Sequence, residues 1–305
     1  MLQANIEILK AISKMRNGFL DALMLLLTEF GSEIIVIGVV CALYWCLNKK
    51  LAYRIGMIFF ASGILVQGLK VGFHVERPWV LDPTFEPVAA AKPGATGYSF
   101  PSGHTQGAAA LYGTLFNSWN KTWFKIICAA MIVAVAFTRL YLGVHTPLDV
   151  VVSALVTLGC VVIFGRVADM LERGNSRDFI LCVVLSALAL GLCAFSFVLS
   201  ATGVVEQVHV NDCFKSGGAG LAFAIGWYLE RRYLNFDVRT DKIWKQIVKM
   251  AVGVGVTLAI KSGLKLIAPD NLIVDFVRYF LTVFWVIYVY PMLFSRFLIG
   301  APKAD

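Results

Sequence analysis

Three short clusters in this chain carry residue types suited to chemistry on an anion: Lys70 with Arg77-Pro78, the run Pro101-Ser102-Gly103-His104, and Arg139 with His145 and Asp149. Phosphoryl transfer asks a protein mainly for positioning and electrostatic stabilisation, because negative charge spreads over the equatorial oxygens in the transition state. Lys70, Arg77 and Arg139 supply positive charge, the arginines as planar forks that match phosphate oxygens. Ser102 and Gly103 fall at a helix start, where free N–H groups and the helix dipole attract anions. Pro101 is tolerated there, and Gly103 leaves room for a phosphate against the backbone. His145 and Asp149 stand four residues apart, on one face of a helix. A carboxylate beside an imidazole fixes its tautomer and steadies the cation formed on attack. That marks His145 as the expected nucleophile and His104 as the expected acid for the leaving oxygen.

These residues need elements to hold them, and composition says which kind. Of 305 residues, 59% are hydrophobic and 15% charged, with mean hydropathy +0.76; soluble domains run at about 45–50% and 25%. The chain is therefore expected to be an all-α, polytopic transmembrane bundle. Apolar runs near 33–48, 51–73, 104–119, 123–139, 147–167, 179–200, 214–229, 243–267 and 272–297 predict about nine spanning helices. The amphipathic N-terminal segment suits an interfacial helix, and the stretch 17–30 is short for a span.

Following the runs in order puts all three clusters on one membrane face. The opposite face collects Lys49, Lys50, Arg54, Lys121, Lys125, Arg166, Arg173, Arg177, Arg231, Arg232, Arg239, Lys242, Lys245, Lys249, Arg296 and Lys303, whereas the motif face carries Asp82, Glu86, Glu206, Asp212 and Asp270. The positive-inside rule then makes the basic loops cytoplasmic and turns the clusters toward periplasm, exterior or lumen. The net charge of +8 is accounted for by those loops, and with no basic run interleaved with aromatics a nucleic-acid partner is not expected. The seven cysteines form no CxxC or Cys/His pattern, so neither a disulfide framework nor a metal site is expected.

With the clusters in view, the chain resembles the type-2 phosphatidic acid phosphatase superfamily, whose signature reads Lys-x6-Arg-Pro, Pro-Ser-Gly-His and Ser-Arg-x5-His-x3-Asp. All three parts recur here in order and with matching internal spacing; Thr138 stands where the pattern has serine. The resemblance covers about residues 20–200. It implies a metal-independent phosphatase without a cofactor, with a phosphohistidine on His145, His104 as acid, and Lys70, Arg77, Ser102, Gly103, His104 and Arg139 around the phosphate. Lipid phosphatases, undecaprenyl diphosphate phosphatases, glucose-6-phosphatases and haloperoxidases share that superfamily.

Blander readings stand beside these. A lone lysine such as Lys70 can snorkel to the surface, and Asp149 in the first turn of its helix can act as a cap while still orienting His145. His74 and Glu76 read as spacers, and Trp79, Tyr98 and Trp119 as interface anchors. The expected organisation is a phosphatase core over residues 1–200, about six helices with the interfacial one ahead of them, and a three-helix extension over 201–305. In that extension Phe214-Lys215-Ser216-Gly217 and the Lys261/Pro269 spacing echo the clusters by chance. The expected activity is hydrolysis of a membrane lipid phosphate or diphosphate. A soluble sugar phosphate as substrate and phosphotransfer between lipids are the alternatives.

Overall fold

A computed structural model describes residues 2–172, 177–240, 242–267 and 271–296 of the chain; Arg173, Pro269, Asp270 and Lys303 lie outside them. Most of the described residues are helical, with no strand among them. In chain order the helices are α1 Leu2–Ser13, α2 Gly18–Thr28, α3 Glu33–Ala42, α4 Lys49–Phe73, α5 Pro78–Leu81, α6 Gly103–Ser118 and α7 Thr122–Tyr141. They continue with α8 Pro147–Glu172, α9 Asp178–Ala201, α10 Gln207–Leu229, α11 Ile243–Ile267, α12 Leu272–Phe284 and α13 Tyr290–Phe294. Among the described residues, six segments are long and apolar enough to cross a membrane: 49–81, 122–141, 147–171, 178–201, 243–266 and 272–294.

The stretch 17–30, short for a span by itself, joins the run after it. Gly18–Gly31 and Glu33–Leu47 together pass as one span bent by 48°. The local cause is legible. Asn17 Oδ1 caps α2 by accepting from Leu20 N at 3.0 Å, and Ser32, in extended conformation, interrupts the helix after the 3-10 turn Glu29–Gly31. Ser32 Oγ then accepts from Ile35 N at 3.4 Å and α3 begins.

The chain forms two compact units, one from residues 1–37 and 65–165 and the other from 38–64 and 166–305. In the first unit α6 is the inner helix, and Thr105 to Leu111 and Gly113 to Thr114 are buried. Its small residues let neighbours approach closely, as expected where helices associate by van der Waals packing in lipid. A Cβ on Gly107 would collide with the carbonyl oxygen of Gly31, and one on Gly113 would come within 3.1 Å of Leu158 and Val161.

In the second unit charge is kept inside by specific partners, as burial of an ion requires. Lys49 Nζ donates to Glu230 Oε1 at 2.9 Å, Asn235 Oδ1 at 3.0 Å and the Phe236 carbonyl at 2.7 Å. Lys249, with no exposed surface, donates to the carbonyls of Trp45 at 2.6 Å and Val238 at 2.9 Å. Lys215, costly inside an apolar helix if alone, lies 2.8 Å from Asp212 and 3.9 Å from Asp275; Asp275 is in turn bonded to Arg278.

Candidate active site

The first unit draws six of the expected residues inward: Lys70, Arg77, Ser102, Arg139, His145 and Asp149 are each at most 9% exposed. Lys70 sits in the last turn of α4, and its Nζ donates to the Tyr98 carbonyl at 2.9 Å. Arg77 precedes α5, with Pro78 in the first helical position. Its guanidinium donates from Nε to the Gly97 carbonyl at 3.0 Å, from Nη1 to that of Val144 at 2.9 Å, and from Nη2 to that of Thr96 at 2.5 Å. The planar fork expected to meet phosphate is thus tied to main-chain oxygens on three sides. The cation stays buried because those dipoles replace its water.

Arg139 and His145 are brought together by a turn. Val144 N donates to the Arg139 carbonyl at 3.2 Å and Gly143 N to that of Leu140 at 3.0 Å, the crossed pair of a Schellman motif closing α7. Gly143 has φ +76°, which glycine adopts without cost. The six-residue step from Arg139 to His145 is this turn. The same turn recurs after α9, where Gly203 has φ +74° and Val204 N donates to the Leu199 carbonyl at 3.0 Å. There Val205 holds the place that His145 holds after Gly143.

His145 ends with its Nε2 3.2 Å from Arg77 Nη1. A guanidinium can only donate, so Nε2 accepts and the proton of the neutral ring is assigned to Nδ1. Asp149 Oδ2 lies 3.5 Å from that Nδ1, long for a hydrogen bond but close enough to favour a proton there. The carboxylate is itself fixed, accepting from Ser99 Oγ at 2.6 Å and Thr146 N at 2.7 Å. Capping is the role its hydrogen bonds serve: Thr146-Pro147-Leu148-Asp149 is a capping box opening α8, and His145 Nδ1 makes no hydrogen bond among the described residues. Burial, followed by the charges of Arg77, Arg139, Lys70 and His104, holds the His145 imidazole well below its ordinary value of 6.5. The ring is neutral at physiological pH, with the Nε2 lone pair on the side of the cations.

Ser102 caps α6, its Oγ accepting from Thr105 N at 3.4 Å, and Ser153 Oγ donates to the Ser102 carbonyl at 2.6 Å. The N–H groups of Gly103 and His104 remain without helical partners, as in any first turn, and open space lies over Gly103. His104 is half-buried, and its burial, followed by the charges of Arg139, Lys70 and Arg77, disfavours the protonated ring.

Some participants carried no readable signal. Ser99 and the carbonyls of Thr96, Gly97, Tyr98 and Val144 hold the charged groups in place, yet a carbonyl has no side-chain signature. Thr146 could have been found from its box. Tyr98, read as an interface anchor, is 6% exposed and lies inside the unit; Trp79 lies under Arg77 and Lys92, at 6.0 and 5.7 Å from its ring.

Comparison with known proteins gives a consistent picture. The model of the PAP2 superfamily matches residues 51–173, and that of the PAP2 superfamily phosphatase transmembrane extension matches 214–302. Undecaprenyl-diphosphatase of Sulfolobus acidocaldarius is 30% identical over 157 residues, 50% of this chain and 72% of that protein. Undecaprenyl-diphosphatase BcrC of Bacillus subtilis is 28% identical over 175 residues, 55% of this chain and 86% of that protein. Sphingosine-1-phosphate phosphatase 1 of Mus musculus is 25% identical over 143 residues, 44% of this chain but 33% of that protein.

Proposed function

The chain belongs to the PAP2 superfamily, and from that premise we propose that it hydrolyses an isoprenoid diphosphate through a phosphohistidine intermediate on the extracytoplasmic face of a membrane. The observation that carries the mechanism is the placement of His145, with Nδ1 3.5 Å from Asp149 Oδ2 and Nε2 3.2 Å from Arg77 Nη1; a neutral ring with its proton on Nδ1 leaves the Nε2 lone pair for attack. Nε2 attacks phosphorus, the N–P bond forms as the P–O bond to the leaving group breaks, and His104, protonated once the substrate's negative charge offsets the neighbouring cations, gives that oxygen its proton and becomes neutral. The ring becomes cationic, and Asp149 stabilises it. His104, now a base, takes a proton from water, which attacks phosphorus and returns neutral His145 and free phosphate. Lys70, Arg77, Arg139 and the first N–H groups of α6 hold the phosphoryl oxygens. The residues alone supply nucleophile, acid and charge, so no metal is part of the scheme.

The two undecaprenyl-diphosphatases, which the chain matches over most of their length, support a diphosphate as the substrate. A lipid phosphomonoester is the second reading, favoured by the sphingosine-1-phosphate phosphatase relative. Both are lipids, which reach a site at the bilayer surface by lateral diffusion; a soluble sugar phosphate and a lipid acceptor in place of water rank below them. The test is phosphate release in detergent with EDTA present, setting undecaprenyl diphosphate, phosphatidic acid, phosphatidylglycerol phosphate and sphingosine phosphate against glucose 6-phosphate. Turnover of the diphosphate, unaffected by EDTA and lost in His145→Ala, is expected. Preference for glucose 6-phosphate, or loss of activity with EDTA, would refute the assignment.

A further inference from the structure

One wall of this site is built by a segment far upstream of the three clusters. Thr28, the last residue of α2, is 4% exposed, and its Oγ1 accepts from Arg139 Nη1 at 2.9 Å. The 3-10 turn Glu29–Gly31 that follows lies on the first turns of α6: a Cβ on Gly31 would collide with the His104 carbonyl oxygen, and one on Gly107 with that of Gly31. The break in the N-terminal span therefore seats on the helix start carrying Ser102, Gly103 and His104, and grips Arg139 at the same time. Residues 28–31 fall outside both family matches.

The two arginines are also used differently. Arg77 gives Nε, Nη1 and Nη2 to main-chain carbonyls. Arg139 gives Nη1 to Thr28, and its Nε is buried without a hydrogen-bond partner among the described residues. A buried donor left unmade is costly, and an anion oxygen would satisfy it.

We infer that Thr28 is a positioning residue for phosphoryl transfer: its hydroxyl fixes the rotation of the Arg139 guanidinium so that the Nε edge meets the phosphate, which makes the broken N-terminal span part of the active site. The inference rests on reading the cluster as a phosphate site. Without the hydroxyl the charge remains but the fork swings, and the geometry of transition-state contact is lost.

The test uses Thr28→Val, which keeps shape and removes the acceptor, Thr28→Ser, which keeps it, Arg139→Lys, and the double variant Arg139→Lys/Thr28→Val. Two readouts are taken on the purified protein: phosphate release from undecaprenyl diphosphate, and orthovanadate binding measured by protection against thermal unfolding. Thr28→Val should lower kcat/KM and vanadate affinity about tenfold, as expected for a hydrogen bond to a charged group, while Thr28→Ser stays within about twofold. In the Arg139→Lys background the valine should cost nothing further, because no fork is left to orient; a merely structural threonine would cost as much in both backgrounds. Wild-type values in Thr28→Val, equal losses in Val and Ser, or additive losses in the double variant would each overturn the inference. A wild type that binds vanadate but releases no phosphate would overturn the diphosphatase reading alone, with the vanadate series still deciding Thr28. A wild type that binds no vanadate would overturn both.

Discussion

Arg77 illustrates how much a single side chain does here beyond carrying charge. Its three nitrogens hold the carbonyls of Thr96, Gly97 and Val144, and Nη1 reaches His145 Nε2. Arg77→Lys keeps the charge but can replace only some of those bonds, and each buried carbonyl left unpaired costs about 1–3 kcal/mol. We expect a lower thermal midpoint from that loss, and a fall of about ten- to a hundredfold in kcat/KM from the missing fork on the phosphate. Retained activity at wild-type stability would contradict the tether. The pH dependence follows from His145. In the unfolded chain it titrates near 6.5, whereas burial and the neighbouring cations hold it well below that when folded. Below pH 6.5 the unfolded chain binds a proton that the folded chain does not, so stability falls as pH falls and is flat above. The contribution of Asp82, lowered to about 2 chiefly by its bond from Lys10, is lost only at far more acid pH. Thermal midpoints between pH 7.5 and 5 should therefore drop more for wild type than for His145→Asn; equal drops would show that His145 is not held neutral. The sequence made Arg77 and His145 visible as types at a spacing. Their polar surroundings, mostly carbonyls and residues such as Ser99 at 50 positions from Asp149, exist only in the folded chain.

At the scale of elements, the spacing within a cluster is local structure made visible. The Arg139-to-His145 step is a Schellman turn about Gly143, and the His145-to-Asp149 step is the first turn of α8 behind its capping box. Both are short-range patterns, so they were readable. The bend at Glu29–Gly31 was not, because 17–30 is unremarkable until Gly31 and Gly107 bring its backbone against α6. A paired substitution separates the turn from its setting. Gly143 and Gly203 share a positive φ of 76° and 74°, but a Cβ on Gly143 would lie 2.6 Å from Arg16 Nη2 and 2.8 Å from the Phe85 ring, whereas nothing lies within 4 Å of one on Gly203. Gly203→Ala should cost about 1–2 kcal/mol for its backbone conformation and leave turnover unchanged. Gly143→Ala should cost more and lower kcat as His145 shifts. Equal effects on activity would mean that the turn does not set the proposed nucleophile.

At the scale of the molecule, hydropathy was enough to establish a multi-pass helical membrane protein, because every spanning backbone must satisfy its own polar groups. Sequence could not show that several cations counted for topology also hold the second unit together, as Lys49 does with Glu230 and Lys249 with the carbonyls of Trp45 and Val238. The orientation proposed from charge is open to a direct check. Single cysteines at Ala90 and Asn120, both exposed, should differ in intact cells: Ala90→Cys labelled by an impermeant thiol reagent, Asn120→Cys only after permeabilisation. The reverse pattern would place the site in the cytoplasm. The claim on which the rest depends is the covalent intermediate on His145, and the most direct measurement is acid-quench-free trapping with undecaprenyl diphosphate labelled at its terminal phosphate, followed by peptide mapping under alkaline conditions that preserve phosphohistidine. Label is expected on the peptide containing His145 in wild type and none in His145→Ala. Label on another residue, or full turnover by His145→Ala, would contradict it.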